Sequence, residues 1–336
     1  MYTLKTIDGY ESSLSLRDTQ RAIKLLKDTF ERYLAETLKL ERVSAPMIVP
    51  ALSGINDDLN GVERPVRFDV AKISNYEAEV VHSLAKWKRI ALFEYGFEAD
   101  EGLYADMNAL RRDDEIDNTH SIYVDQWDWE LVINDNQRTM EFLRRIVQKI
   151  VDSIIETQNI VKRRFKAVTT NLQKEIFFIS TQELLDLYPD CNAKQREFLI
   201  AKEKRTVFIS KIGGTLSNGE RHGGRAPDYD DWELNGDLIF WNDVLEEPVE
   251  MSSMGIRVNA ESIKRQLIAS GKEELIKYKY HQNIINNLLP LTIGGGIGQS
   301  RLCMLLLQKS HIGEVQASIW PRQMLEECKK ANIRLL

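Results

Sequence analysis

The chain has 336 residues, 43% hydrophobic and 29% charged, with a net charge of −6; that length allows one large domain or two smaller ones, and the acidic balance argues against a protein that lives on nucleic acid. Its three cysteines, Cys191, Cys303 and Cys328, are odd in number and lack C-x-x-C spacing, so neither a disulfide framework nor a structural zinc is expected and a reducing cytoplasm fits. No apolar run nears the roughly 20 residues of a membrane span, and the N-terminus lacks the basic-then-apolar order of a signal peptide.

In chain order, Ser15 to Leu40 reads as a long amphipathic helix, with Leu26, Phe30, Leu34 and Leu38 on its apolar stripe. Residues 43–50 carry Pro46 and Pro50 and read as an extended edge strand. The polar turn around Asp57 and Asp58 suits a ligand loop, and a carboxylate there would suit an ammonium group. Glu79 to Ser83 reads as a strand leading into a helix over Leu84–Leu92. That helix puts Lys86, Lys88 and Arg89 in its first two turns, where the dipole disfavours cations. A solvated basic face is the simpler account of them, and a nearby anion is the other.

Residues 103–111 and 120–130 read as strands on either side of a charged loop. From Tyr123 to Glu130 the odd positions are mostly apolar, so Gln126 and Asp128 share the opposite face. Arg138 to about Lys166 reads as a second long helix. Short strand and helix segments follow, then an acidic loop at 225–232. Leu234–Trp241 reads as turn then strand, and Pro248–Arg257 as its partner, across which Asp237 and Glu250 can meet as a magnesium pair. Residues 262–271 and 273–289 read as helical.

Gly294, Gly295, Gly296 and Gly298 then close a strand before Arg301 opens an apolar helix. Neither a P-loop nor a dinucleotide fingerprint fits. Glycine at such a place permits positive φ and lets a flat ligand lie on bare backbone.

Three stretches resemble the motifs of class II aminoacyl-tRNA synthetases: motif 1 near 38–50, motif 2 near 103–130 and motif 3 near 293–307. Two departures stand out. Arg111-Arg112-Asp113 replaces the usual Arg-x-Glu, and Ser300 stands where aspartyl- and lysyl-type enzymes usually have Asp. The segments Val80–Arg89, Tyr123–Glu130, Arg225–Trp232 and Ser252–Arg257 are closer still to the ammonia-dependent asparagine synthetases, the aspartate–ammonia ligase family.

That resemblance implies an α+β fold, an antiparallel-rich sheet flanked by helices, in a single catalytic domain over residues 1–336 without an anticodon-binding domain. It implies a cytoplasmic homodimer acting in asparagine biosynthesis. Aspartate, ATP and ammonia would give asparagine, AMP and pyrophosphate through β-aspartyl-AMP, with Mg²⁺ on the nucleotide. Arg111 would grip the α-phosphate and Arg301 the ATP, with Asp237 and Glu250 holding the metal. Ser253 and Arg257 would complete the nucleotide side. Lys88, Ser83, Gln126 and Asp57 would fix the aspartate, with Asp128 and Asp230 in the same region. Asp57 and Asp230 both stand as acceptors for the ammonium proton. Residue 2 is Tyr2 and no Cys nucleophile lies near the start, so free ammonia, not glutamine, is the expected nitrogen donor. Two other readings stay open: an adenylating enzyme with a tRNA or protein acceptor, and a non-catalytic synthetase paralogue.

Overall fold

A computed structural model describes residues 2–56, 59, 63–73 and 76–336. Two long helices set its first layer. Helix α1 (Leu16–Leu38) starts at Ser15, whose hydroxyl accepts the Asp18 N–H, and stops at Lys39, which takes the left-handed conformation and donates its N–H to the Ala35 carbonyl. Helix α3 (Met140–Arg164) is capped by Thr139 in the same way. Their apolar stripes meet each other and the sheet: Leu26, Phe30 and Leu34 from α1, and Leu143, Ile146, Ile150 and Ile154 from α3.

The main sheet has eight strands in the order β1 (Leu40–Arg42), β5 (Gly102–Leu110), β6 (Tyr123–Val132), β11 (Thr292–Gly298), β10 (Glu247–Arg257), β9 (Asp230–Asn242), β8 (Thr206–Ser210) and β7 (Phe177–Ser180). A small second sheet has the order β2 (Ile48–Pro50), β4 (Glu77–Val80), β3 (Arg67–Asp69). Trp127, Trp129, Phe240, Met254 and Ile293 point from the main sheet into the α1/α3 layer, joined by α8 (Gln299–Leu306) and α9 (Arg322–Lys330). Phe30 meets Trp127 with ring centroids 4.7 Å apart.

On the opposite face, α2 (Ala85–Glu94) covers the β5/β6 end, while α4 (Thr181–Leu187) and α5 (Ala193–Lys204) cover the β7–β9 end. Helices α6 (Ala260–Ser270) and α7 (Lys279–Ile285) pack together at the rim. The middle of this face, over β6, β11, β10 and β9, lies between these covers.

Four expectations change. The sheet is mixed rather than simply antiparallel-rich, because β1 pairs with β5, and β7 with β8, in parallel. Helical crossovers explain it: α4 and α5 carry the chain from β7 back to β8 in the same direction. The extended segment 43–50 forms a strand only over Ile48–Pro50, in the second sheet, while the main-sheet strand β1 lies just before it. Strand β9 runs unbroken from Asp230 through Gly236; a Cβ there would meet the Ile209 carbonyl at 2.5 Å, so that glycine serves a close approach and not a turn. The stretch 273–289 is a 3-10 turn over Glu273–Lys277 followed by the short α7.

Phe30 is fully buried, whereas Leu16 on the same helix is 46% exposed. Phe30→Ala should therefore cost about 3–5 kcal/mol in urea unfolding, and Leu16→Ala no more than about 0.5 kcal/mol. Equal costs would contradict this layering.

Candidate active site

A cavity of about 360 Å³ opens in the middle of the uncovered sheet face, within the size range of small-molecule sites. Its floor comes from strand alternation. Gln126 and Asp128 point up from β6 and Ser253 from β10, with Gly296 between them in register. Glu250 and Ser253 are three apart and would lie on opposite faces of a regular strand. A β-bulge at Met251 breaks the β9–β10 register between Glu250 and Ser252, and both Glu250 and Ser253 line the cavity.

Beneath the floor runs a buried chain of alternating charge. Lys88, fully buried, donates to the Asp128 carboxylate and to the Gly295 carbonyl at 3.2 Å, and lies 3.9 Å from Glu130. Glu130 accepts from Arg257 Nε at 3.1 Å and Nη2 at 2.7 Å, and from Thr292 at 2.7 Å. Arg257 also donates to Asp230. Asp230 faces Arg225 Nε at 3.6 Å, and Arg225 donates to Asp237 at 2.6 Å and to Ser253. Burial alone would raise the Glu130 carboxyl, but the Arg257 and Lys88 charges outweigh it and hold it below the usual 4.5. Burial likewise lowers the Lys88 ammonium.

The cations of α2 do not form a solvated face: all three are buried. Lys86 pairs with Asp228 at 2.7 Å, Lys88 with Asp128, and Arg89 donates to the carbonyls of Pro290 (2.9 Å) and Val258 (2.7 Å). Asp128 also accepts the Leu84 N–H at 3.2 Å, where α2 begins. The carboxylates thus offset the dipole cost of cations at that end.

Arg111 follows β5 and its main-chain N–H still pairs with the Ile122 carbonyl. Its Nη2 donates to the His82 carbonyl at 3.3 Å, and its buried Nε has no partner among the described residues. On the other side Arg301 donates to the Glu250 carbonyl at 2.9 Å, with the Glu250 carboxylate 4.0 Å away. Crowding and the neighbouring Asp237 charge push the Glu250 carboxyl up. Because 48% of that side chain reaches solvent, the Asp237 charge is the firmer cause. Ser83 lines the same cavity. Asp57 lies outside the described residues. Asp113 is held by Arg64 through Nε at 2.9 Å, which keeps its carboxyl down at about 2.

The run of glycines before Arg301 has a different reason from the one expected. None of those at 294–298 has positive φ. A Cβ on Gly296 would overlap the Gln126 amide, and one on Gly294 the Glu130 carboxylate. These two glycines make room for the polar side chains of β6. Ser300, in turn, receives its acid from the neighbouring strand: its N–H and hydroxyl donate to Asp125 at 3.0 and 2.8 Å, and Lys27 pairs with Asp125 at 3.0 Å. Glu130 and Arg225 were not among the expected site residues. The alternation that groups Gln126 with Asp128 extends to Glu130, whereas nothing local marks Arg225 as the partner of Asp237.

The family model described as aspartate-ammonia ligase matches residues 17–332. The aspartate–ammonia ligase of Clostridium tetani is 55% identical over 327 residues, covering 97% of this chain and 96% of that protein. That of Ruminiclostridium cellulolyticum is 54% identical over 336 residues and covers 100% of both. Among solved structures, asparaginyl-tRNA synthetase of Entamoeba histolytica with asparaginyl-adenylate has a TM-score of 0.64 at 14% identity, over 90% of this chain and 66% of that one. The Pyrococcus horikoshii enzyme with asparaginyl-adenylate has a TM-score of 0.64 at 16% identity, over 90% of this chain and 70% of that one. At these identities the likeness is one of fold, that of class II synthetase catalytic domains.

The depressed Glu130 carboxyl gives a pH-dependent test. A carboxylate held low contributes its stability fully above pH 4.5 and loses it as pH falls through the folded value. Glu130→Gln should cost about 3–5 kcal/mol at pH 7 by leaving Arg257 half paired. In urea unfolding the gap from the unsubstituted chain should narrow below pH 4.5. A gap that stays constant down to acid pH would contradict the ion-paired assignment.

Proposed function

The chain belongs to the aspartate–ammonia ligase family, and on that premise we propose how this cavity makes asparagine from aspartate and ammonia. The observation that carries the reading is the gathering of Arg111, Arg301, Asp237 and Glu250 around one polar floor.

In the first step an oxygen of the aspartate side-chain carboxylate attacks the α-phosphorus of ATP. The bond to the bridging oxygen breaks, pyrophosphate leaves, and β-aspartyl-AMP forms. Two anions must approach, so cations are needed where charge builds. The Arg111 Nε–H, without a partner among the described residues, suits the α-phosphate and the reacting carboxylate. Arg301, with one N–H on the Glu250 carbonyl, reaches the nucleotide. Ser83 and Gln126 hold the aspartate, and Asp57 takes its α-ammonium. Lys88 acts from below, its charge shared with Asp128 and Glu130. Arg257 and Asp230 brace the floor, and Ser253 sits at the phosphate side.

In the second step the ammonia lone pair attacks the acyl carbon, AMP departs, and a proton passes to a carboxylate. Asp230, which pairs with Arg257 and Arg225, and Asp57 are the two candidate acceptors.

Asp237 and Glu250 suit Mg²⁺ arriving with ATP. Their mutual repulsion favours a cation, and both offer the hard oxygens it takes. No group of three or more metal-ligating side chains occurs among the described residues, so phosphate and water would supply the other ligands. Bound there, the ion would offset phosphate charge. Asp237 already carries Arg225 at 2.6 Å, a contact that would loosen for the metal. A homodimer through the motif 1 region agrees with the exposed Met47, Ile48, Leu52 and Phe68. A cytoplasmic location agrees with the cysteine count. No described helix is long and apolar enough to cross a membrane.

With ATP, Mg²⁺ and aspartate, asparagine and AMP should appear together only when ammonium is added. Aspartate-dependent ATP–pyrophosphate exchange without asparagine would move the acceptor to tRNA or a protein amine. Arg111→Ala should lower the exchange rate about 10²–10³-fold with an unchanged melting temperature. Activity surviving within a few-fold would remove Arg111 from the phosphate.

A further inference from the structure

Behind the cavity wall lies a second buried charge cluster that the reaction does not use. Lys86 of α2 donates to the Asn56 carbonyl at 3.3 Å and pairs with the Asp228 carboxylate at 2.7 Å. His281 of α7 lies 2.9 Å from the same Asp228 oxygen through Nε2, and its Nδ1 is buried without a partner among the described residues. All three side chains are buried and none lines the cavity. Burial would raise the Asp228 carboxyl, but Lys86 and His281 outweigh it and hold it far below the usual carboxylate range.

The cluster joins two segments that border the cavity. One is anchored at Asn56, whose amide donates to Glu79 at 3.0 Å and accepts the His82 N–H at 2.9 Å, beside Ser83 of the lining. The other runs from Gly224 to Asp230 and contributes Arg225, Ala226, Tyr229 and Asp230. A single ammonium bonded to both fixes their separation. Tyr278 adds a steric stop, because a Cβ at Gly54 would lie 2.5 Å from its ring.

We infer that Lys86, with Asp228 and His281 behind it, is a positioning residue that holds these two segments together and keeps water from the acyl-adenylate. The inference rests on the two-step reaction above. If the segments part, water replaces ammonia at the acyl carbon: the acyl–phosphate bond breaks, and aspartate and AMP form without asparagine. A tie of this kind acts on partition between two nucleophiles more than on making the adenylate.

The readout is asparagine formed per AMP at limiting ammonium, measured for the unsubstituted chain, Lys86→Met and the near-isosteric Asp228→Asn. The variants should release AMP in excess of asparagine, and the ammonium needed for half-maximal asparagine should rise about 10- to 100-fold, the range expected of a small misplacement. Simple loss of folded enzyme would lower both products in proportion and leave the ratio alone. If Lys86→Met does not fold, Asp228→Asn decides by the same ratio. A ratio unchanged in the folded variants overturns the tie alone. An unsubstituted chain that makes no ammonium-dependent asparagine overturns both the tie and the activity it rests on.

Discussion

Everything at this site depends on burying charge without leaving any of it alone. Lys88, Glu130, Arg257, Asp230, Arg225 and Asp237 alternate in sign beneath the cavity. Each ion taken from water carries a penalty of several kcal/mol, offset only by close partners on more than one side. The chain crosses from α2 through β6 and β10 to β9, so no member before its open end at Asp237 can shift without stranding a neighbour. The floor is therefore rigid before any ligand arrives, which is the condition for dipoles and charges to act on a transition state without first reorganising.

Helix α2 is the other half of this arrangement. Successive residues point in different directions around a helix, so three nearby cations reach three separate targets. Lys86 goes to the 228 loop, Lys88 to the floor, and Arg89 to the carbonyls beside β10 and β11. A short helix thereby fixes the relative placement of segments far apart in the chain. That explains why its charges are buried although its composition looks soluble.

Much of this was legible in the amino-acid order, and the gaps have a common cause. The stripes of α1 and α3 showed in their spacing, and the alternation of β6 put Gln126 and Asp128 on one face. Arg111 and Arg301 stood out because glycine, strand and loop patterns frame them. Periodicity tells which face a side chain takes but not whom it meets. Arg257 and Glu130 are 127 positions apart, and Ser300 and Asp125 are 175 apart. Hence the burial of the α2 cations, the tie of Arg225 to Asp237 and the borrowed acid of Ser300 needed the fold. The parallel edge strands were hidden likewise, since strand direction follows from connections and not from local composition.

The bulge at Met251 also gives this strand one residue to spare. A strand reads like a two-letter frame, inward then outward, and the single extra residue shifts that frame between Glu250 and Ser252. Many side chains could fill position 251, where burial against the α1/α3 layer asks only for an apolar group. Removing one residue there is a different event. It closes the bulge and restores regular pairing, with Glu250 and Ser253 now two positions apart and still on one face. This stretch should therefore accept both replacement and loss of residue 251 through descent, and related chains should differ here in letter and in count while keeping both side chains on the cavity face.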